Sequence, residues 1–259
     1  MRYIKIYLAC LKTAYSRAAA YRSNFILGNL MTLLSNVLIP LVTVLVYSNG
    51  ASFPGWDIWQ ALLIQSVFAM SSGAASMLWG GIFWSTMGHV QEGSFETVLL
   101  RPLPPLFYLA ALEFDPESGG LFLGGLAMTV ICTVKTGAAE PVNILSAILL
   151  FLAGLAVMGG LELAMAAISF KWVGNSRIPE IADSIKEFGK YPMEIFPKAV
   201  QCFASVIIPV AMIGFFPASA LLGRLPSAAY ISVIPCIIFF LFGIWLYDRM
   251  IKKYEGVGG

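Results

Sequence analysis

Long apolar runs separated by short polar segments dominate the chain. A bilayer core of roughly 30 Å requires about 20 apolar residues in a helix that rises 1.5 Å per residue. Runs of about this length cover residues 25–47, 58–79, 119–134, 142–170, 199–217 and 228–247. The third run is short, and Pro209 and Pro217 interrupt the fifth, each removing a backbone donor. The pattern predicts an all-α, polytopic membrane protein with six transmembrane helices, in one domain over residues 1–259.

Composition agrees with a membrane protein. The chain is 59% hydrophobic and 12% charged, whereas soluble domains carry about 25% charged residues. A net charge of +2 without a basic cluster gives no reason to expect nucleic acid as a partner. The four scattered cysteines form no CxxC pair, so neither a disulfide framework nor a metal site is predicted.

The distribution of positive charge predicts the orientation. Six crossings place both termini on one side, and all lysines and arginines except Lys135 and Arg224 then fall on that side. Cytoplasmic loops carry such an excess, so this side is predicted to be cytoplasmic. The interpretation puts the whole loop between the fourth and fifth runs in the cytoplasm, with these cationic residues: Lys171, Arg177, Lys186, Lys190 and Lys198.

Two amphipathic segments are predicted to lie on the cytoplasmic surface. Residues 1–24 alternate basic and apolar positions at helical spacing, which is typical of a helix in the headgroup layer. It can serve as a plain anchor or bind a partner. Near residues 176–188, Ile178, Ile181, Ile185 and Phe188 form an apolar stripe ended by Gly189. This second helix can rest on lipid or dock a cytosolic partner.

The loop between the second and third runs has its own pattern. In "EGSFETVLLRPLPPLF", residues 92–107, a helix would place Phe95, Val98 and Leu99 on one face and Glu92 and Glu96 on another, and "PLPP" would end it. The pattern alone favours an ordinary loop, with a short rigid helix that transmits force to the membrane as the alternative.

One ionisable residue lies inside an apolar run. A carboxylate at the centre of a span costs roughly 2.5–3.5 kcal/mol, so Glu162 requires a reason. It can be protonated or hydrogen-bonded to a neighbouring helix, or it can line a translocation path. Phe215 and Phe216 can likewise line an apolar path or simply pack. An ion-coupled secondary transporter that uses Glu162 is therefore an alternative function.

The chain lacks the residue patterns of an enzyme. It has no GxxxxGK[ST] phosphate-binding loop, and no Ser-His-Asp set, paired carboxylates or His/Cys cluster indicates catalysis or a metal. We expect no catalytic residue and no cofactor in this chain.

The chain resembles the permease subunits of type-2 ABC (ATP-binding cassette) exporters. The resemblance rests on "GSFETVLLRPLPPLFYLAALEFD" and on "FGKYPMEIFP" followed by "IPVAMIGFFPASALLG". It implies a coupling helix at about residues 93–101 that fits a groove on an ATPase, and a re-entrant outer segment at "GFFPASALLG". The residues implied to contact the ATPase are Glu92, Phe95, Glu96, Leu99, Leu100 and Arg101. Phe95 is expected to be the buried hot spot of that contact.

The resemblance also implies the partners and the location. ATP and Mg are expected in separate ABC ATPase subunits, and a second permease, identical or related, is expected to complete the path. Membrane lipid is the remaining partner. The implied location is the bacterial plasma (inner) membrane, with both termini cytoplasmic. The sequence does not identify the substrate.

Overall fold

A computed structural model describes residues 2–138, 140–172, 177–225 and 227–254. These ranges are helical and contain no strand. The α-helices, in chain order, are α1 Arg2–Ala20, α2 Arg22–Ser48, α3 Ile58–Ala75, α4 Gly81–Gln91, α5 Glu96–Leu99, α6 Pro105–Leu112, α7 Gly119–Thr136, α8 Pro141–Ser169, α9 Arg177–Lys186, α10 Lys198–Cys202, α11 Phe215–Leu221 and α12 Val233–Ile251.

Within the described ranges, five helical stretches are long and apolar enough to cross a membrane: Arg22–Ser48, Ile58–Gln91, Pro116–Thr136, Pro141–Ser169 and Ala229–Ile251. Four of them agree with the predicted runs to within a few residues. The second is longer than predicted, because a π-helical turn at Ser76–Gly80 joins α3 to α4 without a break. The chain is therefore an all-α, multi-pass membrane protein.

The predicted span over residues 199–217 is not a continuous helix. A π-helical turn extends α10 to Ile207, and the helix ends before Pro209, as that proline predicts. The second predicted break is wrong. Pro217 is the third residue of α11, where a backbone N–H has no partner within the helix in any case.

Contacts among short helices and loops define the two ends of the bundle. At the α1 end, the ring of Tyr3 lies 5.0 Å from that of Phe107, and Phe95 lies 4.8 Å from Phe170. At the opposite end, called the Trp56 end, Arg224 donates a hydrogen bond of 3.1 Å to the Gly55 carbonyl. The loops that follow α2, α7 and α11 lie at this second end.

The segment after α8 runs from the α1 end to the Trp56 end. Lys186 on α9 lies 3.4 Å from Glu162, which is seven residues, about 10 Å, before the end of α8. Farther along, Lys190 lies over the ring of Phe68, midway along α3. Tyr191 then contacts Phe53 in the Trp56-end loop, at 6.0 Å between ring centroids.

This course corrects the sequence interpretation of the whole 171–198 loop as one surface segment on the side of the termini. Lys190 and Lys198 leave that side, and α9 partly buries its charged Lys186. Ion pairing explains why charged side chains are tolerated here. Glu162 and Asp183 lie beside Lys186, and Glu187 lies 2.6 Å from Lys190. Charges that are neutralised by neighbours can lie inside a fold that would exclude them singly.

The chain then enters the bundle a second time from the Trp56 end. The carbonyl of Ile213 accepts a hydrogen bond of 2.7 Å from Ser71, deep in α3. From there α11 returns, and Phe215 contacts Trp56 at 5.7 Å. A Cβ on Gly214 would lie 2.5 Å from the Gly189 carbonyl. Only glycine therefore permits this close approach between the two segments.

Small residues also bring the long helices together. The backbones of α3 and α7 touch at Gly73 and Gly125, where an added Cβ would collide with the opposing main chain. The α8–α12 contact has the same character, since a Cβ on Gly243 would lie 2.8 Å from the Gly160 carbonyl. Such contacts are typical of helix packing in membranes, where van der Waals fit replaces the hydrophobic drive.

Candidate functional site

The loop between α4 and α6 is a short helix held from both sides. After α4, Gly93 adopts a positive φ of 67°, which turns the chain without strain. The His89 ring and the Ser94 hydroxyl form a hydrogen bond of 2.8 Å across this turn. Helix-type backbone hydrogen bonds then run from Ser94 to Arg101, although only Glu96–Leu99 is a regular α-helix. The predicted helix over 93–101 is therefore present in shortened form.

The inner face of α5 is anchored by aromatic packing. Phe95 is 0% exposed and Val98 is 1% exposed. The Phe95 ring packs edge to face on Phe170 at 4.8 Å and on Tyr254 at 5.4 Å. Such aromatic pairs add roughly 0.5–1.5 kcal/mol beyond their buried area. The loop is thereby attached to the ends of both α8 and α12.

This packing corrects the predicted role of Phe95 as a side chain inserted into a partner. A helix of one turn places positions i and i+3 on the same face, so Phe95 and Val98 turn inward together. The aromatic partners lie far along the chain, and the local pattern gives no sign of them.

The outer face of α5 remains open. Leu99 is 41% exposed and Leu100 is 84% exposed. Glu92, Glu96 and Arg101 are also exposed beside them, and the Arg101 guanidinium lies 5.8 Å from the centre of the Tyr108 ring. We call these five residues, Glu92, Glu96, Leu99, Leu100 and Arg101, the α5 surface. It is an apolar centre with charges around it, the usual layout of a protein-binding patch.

A buried hydrogen bond supports the α5 surface from inside, and sequence reasoning missed it. The Tyr247 hydroxyl on α12 and the Thr86 hydroxyl on α4 lie 3.0 Å apart, and both residues are 0% exposed. Tyr247 also contacts Phe170 at 5.7 Å. Tyr247 was hidden in an apolar run. Its hydroxyl is a polar group within a long apolar segment, and this is the one signal that could have indicated a buried hydrogen bond.

Glu162 lies apart from the other residues predicted to form a path. Its carboxylate is 3.4 Å from the Lys186 ammonium, with side-chain exposures of 14% and 12%. Lys186 also contacts Asp183 at 2.7 Å. Of the alternatives that the sequence left open for Glu162, the structure shows a carboxylate bonded to a neighbouring helix.

Phe215 and Phe216 lie at the Trp56 end, not beside Glu162. Their rings are 5.4 Å apart, and both line a cavity of about 570 Å³. The sequence did not predict the polar residues that share this cavity, because they come from three separate segments of the chain: Glu194, Gln201, Ser205, Ser219 and Arg224.

Comparison with known proteins agrees with this architecture. The family described as ABC-2 family transporter protein matches residues 33–258, a range that begins within α2 and includes the helices from α3 to α12 and the α5 surface. No curated protein and no solved structure matches the chain significantly. ABC-2 permeases are the membrane components of transporters that associate with ABC ATPases. The chain belongs to the ABC-2 transporter family and is a membrane transport permease.

Proposed function

We propose that the chain is the permease subunit of an ATP-driven exporter, and that a separate ATPase drives it through the α5 surface. The observation that carries this proposal is the pairing of an exposed apolar tip with a buried anchor. Leu99 and Leu100 project outward from the same turn whose Phe95 is wedged against Phe170. A partner can bind Leu99 and Leu100, and the packing of Phe95 on Phe170 prevents the loop from moving independently of α8.

Displacement of α5 has a short route into the membrane helices. Phe95 connects it to α8 through Phe170 and to the end of α12 through Tyr254. On its other side α5 continues from α4, which is joined to α3 through the π-helical turn. Packed elements transmit such motion because they repack between discrete arrangements and do not deform smoothly. ATP and Mg belong to the partner subunit in this account.

The proposed orientation places the α1 end in the cytoplasm. Cationic residues remain concentrated there after the correction to the 171–198 loop, as the positive-inside rule requires: Arg2, Lys5, Lys12, Arg17, Arg22, Arg101, Lys171, Arg249, Lys252 and Lys253. Both termini are then cytoplasmic, and the membrane is the bacterial plasma (inner) membrane. The basic face of α1 lies on lipid.

The proposed topology has six crossings, with a different fifth from the one that hydropathy suggests. The path from α9 to Tyr191, past Glu162 and Phe68, supports a crossing within residues 177–193. Residues 198–222 then enter and leave from the outer side as a re-entrant segment. The hydrogen bond from Ser71 to Ile213 supports this depth, and the buried α11 satisfies the rule that irregular backbone at membrane depth must be covered by protein.

A second permease, identical or related, is proposed to complete the path. Helix α2 supports this, because more than half of its side chains are exposed and, among its described side chains, Thr43 alone is buried. Its contacts include a hydrogen bond of 2.6 Å from the Gly120 amide to the Asn29 side chain. A surface of that size in a membrane protein faces lipid or another subunit.

Ion-coupled transport through Glu162 is not favoured. A coupling carboxylate must exchange its ion with a water-filled path. The Glu162 carboxylate is instead held by Lys186, and both side chains are almost covered. The pair is better explained as the device that fixes α9 against α8.

The test compares two double variants of the α5 surface in the membrane complex isolated with its ATPase. Leu99→Asp with Leu100→Asp should abolish ATPase co-purification and permease-dependent ATP hydrolysis, and the chain should still insert. Leu99→Met with Leu100→Met keeps the surface apolar and should retain both. If the aspartate pair binds the ATPase and supports hydrolysis like the wild type, the α5 surface is not the coupling site.

A further inference from the structure

The cavity at the Trp56 end has the composition of a ligand site. Its volume of about 570 Å³ falls within the roughly 300–1,000 Å³ typical of small-molecule pockets. Trp56, Phe215 and Phe216 provide aromatic wall. The polar lining comes from the segment after α9, from α10 and its extension, and from α11 and the loop that follows it.

Two opposite charges line this cavity without meeting each other. Among the described residues neither Glu194 nor Arg224 forms an ion pair, although both lie on the cavity wall. Arg224 is fixed in place by its 3.1 Å bond to the Gly55 carbonyl, and its guanidinium carbon lies 5.4 Å from the centre of the Trp56 ring. That bond uses one of the five N–H donors of the guanidinium.

A third polar group inside the cavity lacks a partner. Ser219 is 2% exposed, and its hydroxyl oxygen makes no hydrogen bond with any described residue. A buried hydroxyl without a partner costs about 1–3 kcal/mol. A ligand oxygen within the cavity would remove that cost.

The aromatic composition of the Trp56 end is typical of the level where lipid head groups are found. Tyr and Trp concentrate at the membrane–water boundary, and this end of the bundle carries several of them. The Tyr47 hydroxyl bonds to the Trp56 carbonyl at 2.9 Å, and Tyr191 lies behind Phe53. At that level Glu194 and Arg224 would meet the head-group layer, with the aromatic wall on its apolar side.

We propose that this cavity binds the zwitterionic head group of a phospholipid of the phosphatidylethanolamine type. Arg224 and the Ser219 hydroxyl hold the phosphate, and Glu194 accepts hydrogen bonds from the ammonium. The first carbons of the acyl chains lie on Phe215 and Phe216. Charge matching carries the assignment, because the cavity offers one fixed cation and one carboxylate and the head group carries one charge of each sign.

The proposal concerns lipid and needs no ATPase, so its failure is distinct from failure of the coupling proposal. The measurement is native mass spectrometry of the purified full chain with phosphatidylethanolamine or phosphatidylglycerol. The two lipids share the phosphate and differ in the ammonium. We expect the wild type to retain phosphatidylethanolamine about tenfold more strongly, the usual scale for one hydrogen bond to a charged group.

Each variant should have its own signature. Glu194→Gln should remove the preference between the two lipids, and Arg224→Gln should weaken the retention of both by about tenfold. Ser219→Ala should weaken both by a smaller factor. Glu140→Gln removes an exposed carboxylate at the same end, outside the cavity, and should behave as the wild type.

Soluble glycerophosphoethanolamine distinguishes the two possible sources of the head group. If it competes with the lipid, head-group chemistry alone is sufficient, and if it does not, the site needs acyl chains as well. Both outcomes keep the proposal. Equal retention of the two lipids by the wild type, or an unchanged preference in Glu194→Gln, would overturn it.

Discussion

The ring of Phe95 stands edge to face on that of Phe170, with 4.8 Å between centroids. Phe95 is in the loop before α5, and Phe170 directly follows α8. This contact joins the candidate coupling loop to a membrane helix. Phe95 therefore has a structural role, whereas the sequence suggested that it binds a partner.

Phe95→Ala should therefore cost stability as well as coupling. Removal of a fully buried phenylalanine destabilises proteins by about 3–5 kcal/mol. We expect a lower midpoint of thermal unfolding in detergent and loss of ATP-dependent coupling. Leu99→Ala, at an exposed position of the same turn, should change stability by less than about 0.5 kcal/mol. Equal stability of the two variants would contradict the buried position of Phe95.

The pair of Glu162 and Lys186 predicts a non-additive mutant cycle. Lys186→Gln leaves the Glu162 carboxylate uncompensated, and removal of one partner of a buried ion pair costs about 3–5 kcal/mol. Glu162→Gln should cost less, because Lys186 keeps its 2.7 Å contact with Asp183. Glu162→Gln and Lys186→Gln should each lower the unfolding midpoint, and the double variant should recover part of the loss. Thermal unfolding of the four proteins measures the coupling. Strict additivity would show that the two side chains do not interact.

The same cycle separates the structural role of Glu162 from ion-coupled transport. A structural pair predicts that the double variant, once folded, still supports permease-dependent ATP hydrolysis. A carboxylate that carries the coupling ion would be indispensable in every background. If the double variant folds normally but hydrolysis is lost, the pair has a role in the transport cycle beyond fixing α9 against α8.

Gly214 should tolerate no side chain. An added Cβ would lie 2.5 Å from the Gly189 carbonyl and 3.0 Å from that of Ile64, both of them backbone atoms. Gly214→Ala should therefore destabilise the segment between Pro209 and α11, and limited proteolysis should cut there faster. Gly88→Ala is the control. Nothing lies within 4 Å of its added Cβ, and alanine in a helix is favoured over glycine by roughly 0.5–1 kcal/mol.

The corrected course of the chain predicts which residues can be labelled from outside the cell. In a chain whose four cysteines have been replaced, a membrane-impermeant thiol reagent should label Glu194→Cys in intact cells. Leu100→Cys should react only after the membrane is opened. Labelling of Leu100→Cys from outside would contradict the proposed orientation. Labelling of Glu194→Cys only after the membrane is opened would contradict the proposed crossing within residues 177–193.

The long apolar helices could be predicted from sequence, and the segments stabilised by distant partners could not. Helices α2, α8 and α12 have ends within a few residues of the predicted runs, because hydropathy alone decides their length. The segment from α9 to Tyr191 fails every hydropathy criterion, since Lys186 is compensated by Glu162, a residue in another helix.

The candidate site was likewise predicted only in part from the sequence. The amphipathic pattern of α5 correctly predicted a short helix after α4, but it could not assign the two faces. Inward burial of Phe95 depends on Phe170 and Tyr254, neither of which is near it in sequence. The cavity at the Trp56 end was only partly foreseen, through Phe215 and Phe216, because its charged residues are isolated along the chain.

The central claim is that an ATPase binds the α5 surface, and crosslinking tests this claim most directly. A photoreactive amino acid at Leu100, the most exposed leucine of the surface, should crosslink to an ATP-hydrolysing subunit in membranes. The same probe at Ile231, 65% exposed at the Trp56 end, should crosslink to no such subunit. Capture of the ATPase from Ile231 and not from Leu100 would contradict the account.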